Sequence, residues 1–85
     1  MELNPNHPDY HLMKAQKLYK LGLSEEALKE MDKAIELAPN RPYFRYIKSD
    51  MLRKLGRYDE AQREHDIAEE LEYLNYLKRL DEDIE

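Results

Sequence analysis

The sequence contains no cysteine and no tryptophan, and it has only two glycines among its 85 residues. The absence of cysteine excludes disulfide bonds, thiolate metal sites and cysteine nucleophiles. No run of residues approaches the roughly 18 consecutive apolar positions that a membrane-spanning helix needs. Met1 is followed by an acidic residue and not by the basic and apolar regions of an export signal. We therefore expect a single small cytoplasmic domain.

Positive charge is in deficit, since 14 Lys and Arg residues stand against 19 Asp and Glu residues and give a formal net charge of -5. That sign opposes binding to phosphate backbones, so nucleic acid is not an expected partner. The lack of a long apolar run means that a membrane is not expected either. His7 and His11 flank Asp9, but His7 precedes Pro8 and lies outside the predicted helix, which removes the geometry of a helical metal pair. The sequence also lacks a nucleophile triad and a glycine-rich phosphate loop. We predict no catalytic residues, no cofactor and no metal site.

What the sequence does have is an internal repeat, in which the pattern of 8–41 recurs over 42–75. Thirteen positions of the first segment are identical to the equivalent positions of the second. The pairs that mark the ends and contacts of helices are Pro8/Pro42, Leu18/Leu52, Gly22/Gly56, Ala27/Ala61, Ala34/Ala68 and Leu37/Leu71. We divide the chain into the tail of a missing repeat (1–7), repeat 1 (8–41), repeat 2 (42–75) and a C-terminal helix extension (76–85). This layout suggests an excised or constructed sequence.

Each unit has the pattern of two helices joined by a glycine turn. Pro8 and Pro42 suit the first position of a helix, where the missing N–H has no partner to lose. Gly22 and Gly56 fit just after a helix end, because glycine adopts the left-handed conformation without strain. Ser24 is expected to cap the second helix of the first unit. Each unit is therefore predicted to be a helical hairpin.

The last helix is predicted to be unusually long. The second unit has no counterpart of Pro39, and no proline or glycine occurs from 57 to 85, so the helix should span about 59–83. It would either break near Asn75 and cover its own hairpin, or continue and pair with a second copy. An apolar stripe runs along it, and the residues of its outer part are the candidates for self-association: Tyr73, Leu74, Tyr76, Leu77, Leu80 and Ile84.

A known family shares these features. The residues concerned are Gly22, Ala27, Ala34 and Pro39, with Gly56, Tyr58, Ala61 and Ala68 in the second unit. Together they resemble the tetratricopeptide repeat (TPR), a helix–turn–helix of about 34 residues. The resemblance implies one all-α domain over 1–85: two TPR-like helix-turn-helix hairpins in a right-handed stack with a long final helix. The small pairs Ala15/Ser49, Ala27/Ala61 and Ala34/Ala68 should let helices approach closely. Tyr10 and Tyr58 are expected in the core.

The resemblance also implies a function, that of a non-catalytic protein–protein interaction scaffold whose first helices line a concave groove for a peptide or protein. The groove positions are held by Asp9, Leu12, Gln16, Tyr19, Tyr43, Tyr46, Asp50 and Arg53. Relatives that bind chaperone tails use Lys and Asn where this chain has Leu12, Gln16 and Ile47, so that ligand is not expected. A homo-oligomer, most simply a dimer, is expected through the last helix. The alternative is an engineered or excised repeat scaffold whose only activity is folding and self-assembly.

Overall fold

The computed structural model describes residues 4–84, with side chains described through Asp83. Within this range the chain forms four helices and no strand: α1 (Pro8–Lys20), α2 (Ser24–Leu37), α3 (Pro42–Lys54) and α4 (Tyr58–Ile84). Helix α1 packs against α2, α3 packs against α4, and α2 joins the two hairpins by packing against α3. The predicted all-α pair of hairpins with a long final helix is confirmed. No helix in the described part of the chain combines the length and the apolar character that crossing a membrane requires.

Both hairpins turn at a glycine in the left-handed region, with φ of +83° at Gly22 and +82° at Gly56. In the first turn the Leu23 N–H donates to the Leu18 carbonyl at 2.9 Å, and the Gly22 N–H donates to the Tyr19 carbonyl at 3.0 Å. The second turn repeats both bonds at the same lengths. This pair of bonds satisfies the last carbonyls of α1 and α3, which ends each helix and reverses the chain.

The helix starts agree only in part with the sequence prediction. Pro8 and Pro42 each open a helix, and the Asp9 N–H donates to His7 Nδ1 at 3.1 Å, so a histidine caps α1. The expectation that Ser24 caps α2 is wrong, because Leu23 is the capping residue and makes no side-chain hydrogen bond. The Leu23 N–H closes the glycine turn by donating to the Leu18 carbonyl, and α2 begins directly after it, at Ser24. The helix therefore begins one residue earlier than it would with Ser24 as its cap.

The core lies where small residues of paired helices meet. All six predicted close-approach positions are buried, with exposed fractions of 0% or 1%: Ala15, Ser49, Ala27, Ala61, Ala34 and Ala68. Phe44 and Met31 fill the space beside them, and the Ser49 hydroxyl donates to the Ala61 carbonyl at 2.7 Å. Tyr10 is half-buried. The core assignment of Tyr58 is wrong, since its side chain is 66% exposed at the first position of α4, beside a turn that is itself exposed.

Helix α4 does not break near Asn75. It continues for 27 residues and crosses the end of the second repeat without interruption. The Asn75 side-chain amide instead donates to the carbonyl of Asn40, in the connection between α2 and α3, at 3.0 Å. This bond ties the middle of α4 to the junction of the two hairpins, and the side chains of residues 76–83 beyond it are all exposed.

Candidate functional site

A groove of about 440 Å³ lies between α1 and α3, the first helices of the two hairpins. Five of the predicted groove residues line it together: Gln16, Tyr19, Tyr43, Tyr46 and Asp50. The other residues of its lining are Lys20, Ile47, Met51 and Lys54. The groove therefore has an aromatic and aliphatic floor with a few polar groups, as ligand sites in proteins commonly have.

Three predicted groove residues lie elsewhere. Leu12 is only 8% exposed and belongs to the core, so its assignment to the groove is wrong. Tyr46 holds the equivalent position of the second hairpin, and its longer side chain reaches past the buried layer into the groove. Asp9 and Arg53 are exposed, but neither contributes to the groove lining.

The groove residues of α3 that the sequence analysis did not predict lie at a regular spacing that is visible in the sequence. On α3, Tyr43, Ile47 and Met51 are spaced by four residues and form one row along the helix. Asp50 and Lys54 continue a second row from Tyr46 with the same spacing. Extending the row of Tyr43 by two turns and the row of Asp50 by one turn would have identified the rest of the α3 wall.

Tyr46 is held against α4 by a hydrogen bond from its hydroxyl to the carboxylate of Glu72. This bond, followed by partial burial and the negative charges of Glu72 and Glu69, raises the pKa of Tyr46 to about 12. The Tyr46 ring also packs edge-to-face on the His65 ring, with 5.3 Å between centroids. One wall of the groove is thus fixed by the helix behind it.

Charges in the groove are largely paired. Lys54 Nζ lies 3.2 Å from an Asp50 carboxylate oxygen, one helical turn away on α3. Lys20 makes no ion pair within the described residues, and it projects from the last turn of α1 at the rim. The groove consequently presents apolar contact area with one available positive charge at its edge.

The outer part of α4 is a second surface. Five of the six predicted self-association residues have described side chains, and these are 38% to 61% exposed: Tyr73, Leu74, Tyr76, Leu77 and Leu80. The side chain of Ile84 lies outside the described residues. A shallow depression of about 370 Å³ runs beside Leu71, Leu74 and Leu77 and is bounded by Asn40. Among the described residues, no other helix or loop covers this apolar stretch of α4.

The inner part of α4 differs from its counterpart in the first hairpin. In α2, which packs between two neighbours, Leu28, Met31 and Ile35 are all buried. The residues at the equivalent positions of α4 are polar and none of them is buried: Gln62, His65 and Glu69. This flank of α4 therefore lacks the apolar residues that a further stacked hairpin would need, and the apolar surface is displaced toward the C-terminal end of the helix.

Two histidine clusters bear on metal binding. His11, weighed with His7 as a possible ligand, instead contacts Glu30 and a backbone carbonyl. On α4, His65, Asp66 and Glu69 bring one ligand atom each within 4.8 Å of the others. Both carboxylates are exposed and the imidazole is only half-buried, so the group has the solvated character common on helix surfaces.

Comparison with known proteins supports the repeat assignment. A family model described as "Tetratricopeptide repeat" matches residues 8–41, which comprise α1, α2 and the connection to α3. No curated protein matches the chain. The second hairpin has the same glycine turn, the same buried alanines and the same helix order as the matched one.

Proposed function

We propose that this chain, whose first hairpin matches the tetratricopeptide repeat family model and whose second hairpin has the same helix order, is a non-catalytic protein–protein interaction scaffold. In this proposal the groove between α1 and α3 receives a peptide or a protein segment, and the outer part of α4 pairs with a second copy. The groove supports the first part, since it places three tyrosines and two aliphatic side chains on one concave face. A net charge of -5 supports a protein partner over nucleic acid or an anionic membrane.

The lining indicates the chemistry of the ligand. Tyr19, Tyr43 and Ile47 provide apolar contact from both walls. Tyrosine is effective in this role because its ring buries a large area while few torsions are lost, and its hydroxyl can bind a peptide backbone. The pairing of Asp50 with Lys54 leaves little uncompensated charge in the groove. We therefore propose that the ligand is a peptide with bulky apolar side chains, recognised by shape complementarity and apolar contact more than by charge.

Selection from a random peptide library displayed on phage, with the immobilised protein as bait, tests this proposal. Tyr43→Ala removes a groove ring that is 58% exposed, and Tyr58→Ala removes an equally accessible ring, 66% exposed, outside the groove. A binding anchor of at least about 2 kcal/mol corresponds to a loss of about thirtyfold in affinity for Tyr43→Ala. Equal affinity of the two variants for the selected peptides would exclude the groove as the site.

Self-association rests on the exposed apolar residues of α4. Tyr73, Leu77 and Leu80 recur at the spacing of four and three residues that places side chains in the seam of paired helices. The helix is continuous across them, so the seam would be straight and accessible to a second copy. A protein that associates in this way and selects no peptide would instead match the alternative of a repeat scaffold whose only activity is folding and self-assembly.

The double variant Leu77→Asp with Leu80→Asp tests this surface. It places two negative charges in the proposed seam, and light scattering coupled to gel filtration should show a shift toward the 10.3 kDa monomer. Arg79→Glu changes the net charge by the same two units on another side of the helix and should leave the oligomer intact. Circular dichroism establishes that both variants remain helical. Identical masses for the two variants would remove α4 from the interface.

A further inference from the structure

In each hairpin a basic side chain on the first helix contacts a carboxylate on the second helix, and we call this contact the clasp. In the second hairpin Arg45 Nη1 lies 2.8 Å from Glu64 Oε1. In the first hairpin the equivalent positions are held by His11 and Glu30, and His11 Nδ1 lies 2.9 Å from Glu30 Oε1. The clasp thus recurs in the same place, but a group that can lose its charge stands where the other hairpin has a permanent cation.

His11 makes a second contact on the opposite side of its ring. Its Nε2 lies 2.8 Å from the Pro5 carbonyl oxygen. Pro5 belongs to the turn formed by residues 4–7, which the His7 N–H closes by donating to the Asn4 carbonyl at 2.8 Å. The ring, whose side chain is 13% exposed, therefore connects the turn before α1 to helix α2.

The two contacts of the ring require two protons. A carbonyl oxygen only accepts hydrogen bonds, and an ionised carboxylate does the same. Burial alone would raise the pKa of Glu30, but hydrogen bonds from His11 and Lys33 and the charge of Lys14 lower that pKa below its ordinary value of 4.5. Glu30 is therefore ionised near neutral pH, and both nitrogens of His11 must donate for both contacts to form.

The groups facing this ring come from three elements. Helix α2 contributes Glu30 and Lys33, whose Nζ lies 2.9 Å from the same carboxylate. Helix α1 contributes Lys14, at 3.8 Å from Glu30, and Tyr10, whose ring packs edge-to-face on His11 at 5.1 Å. The turn contributes its carbonyl oxygen. The two lysines keep Glu30 compensated when His11 is neutral, so the α1–α2 hairpin itself does not depend on the ring proton.

We propose that His11 is a pH-sensitive latch that fastens the turn of residues 4–7 to the first hairpin. With both ring nitrogens protonated, the ring holds Pro5 and Glu30 together. When the ring loses one proton it retains a single N–H and keeps only one of the two acceptors. The ionised carboxylate of Glu30 is the stronger acceptor, so the contact with the Pro5 carbonyl is the one that is lost. The turn is then released, while the Arg45–Glu64 clasp of the second hairpin does not depend on a ring proton, because its cation is a guanidinium.

Nitrogen-15 NMR relaxation of the full chain at about pH 5.5 and about pH 8.5 tests the latch, because these values bracket ordinary imidazole titration. The backbone order parameters of Asn6 and His7, the turn residues after Pro5 that carry an N–H, should fall from about 0.85 to below about 0.6 on going to the higher pH. Ring nitrogen shifts of His11, measured on the same wild-type samples, should show two N–H groups at the lower pH and one at the higher pH.

Two variants separate His11 from its neighbours. His11→Arg supplies the permanent cation found at Arg45, so the order parameters of the turn should no longer change between the two pH values. His7→Asn keeps a capping side chain for α1 and removes the other imidazole of the turn, so the pH dependence should persist. Equal order parameters at both pH values in the wild-type protein would overturn the latch. So would a pH dependence that survives in His11→Arg, or a ring with one N–H at both pH values.

Discussion

Replacement of Ala34 by leucine tests whether the close packing of the helices requires a small residue at this position. Ala34 has an exposed fraction of 0%, and so does Ala68 at the same position of the second hairpin. Leucine would add three carbon atoms where close-packed side chains leave no room. Overpacking of this kind costs about 1–3 kcal/mol, out of about 4–13 kcal/mol expected for a domain of this length. The melting temperature should fall by about 4–8 °C for each kcal/mol.

Thermal and urea denaturation followed by circular dichroism give the result. The matched control is Glu36→Leu, which introduces the same side chain at an exposed position of the same helix. Alanine, glutamate and leucine are all strong helix formers, so helix propensity contributes only a few tenths of a kcal/mol to either change. A variant Ala34→Leu as stable as Glu36→Leu would refute the close approach of α2 to its neighbouring helices as a steric requirement.

Three further predictions concern single groups. Gly56→Ala should cost about 1–2 kcal/mol in urea denaturation, since φ is +82° and no atom lies within 4 Å of an added Cβ, which leaves backbone strain as the cause. The pKa of Glu30 is lowered, so the stabilisation that its ionised carboxylate gives the folded state is present near neutral pH and is lost as the pH falls below 4.5. The Glu30→Gln variant should therefore be less stable than the wild-type protein at pH 7, and its stability should fall less on acidification. In an ultraviolet titration Tyr46 should ionise near pH 12, and Glu72→Gln should lower that value toward 10.

The helix boundaries were predictable because proline and glycine act on the backbone whatever surrounds them. Pro8 and Pro42 fix the starts of α1 and α3, and the two glycines fix the turns. The length of α4 followed from the lack of both residue types beyond position 57, and the observed Tyr58–Ile84 extends the predicted 59–83 by one residue at each end. Ser24 failed as a cap because the preceding glycine turn had already determined where α2 begins.

The groove was predictable only in part, because it depends on how deep each side chain lies. Leu12 and Tyr46 occupy the same repeat position, yet the leucine is covered in the core and the tyrosine reaches the groove. Lys20 and Lys54 were missed because they lie in the last turns of their helices. Long helical side chains lean back toward the N-terminus, which brings both lysines over the groove from positions beyond its predicted end.

The contact between His11 and Glu30 in the first hairpin could be predicted by comparing the two repeats. The pairs His11/Arg45 and Glu30/Glu64 each occupy equivalent positions of the two repeats, and in both units a cationic or titratable residue pairs with a glutamate 19 positions later. The contact of His11 with Pro5 could not be read from spacing, because it depends on the conformation of the turn before α1.

An NMR titration of nitrogen-15-labelled protein with a peptide selected from the phage library tests the proposed binding surface most directly. The amide shifts should change at Tyr19, Tyr43 and Ile47, which face one another across the groove between α1 and α3. Amides in the outer part of α4 should keep their positions when the protein concentration is held constant. Shift changes confined to α4, with none on α1 or α3, would contradict the groove as the site of recognition.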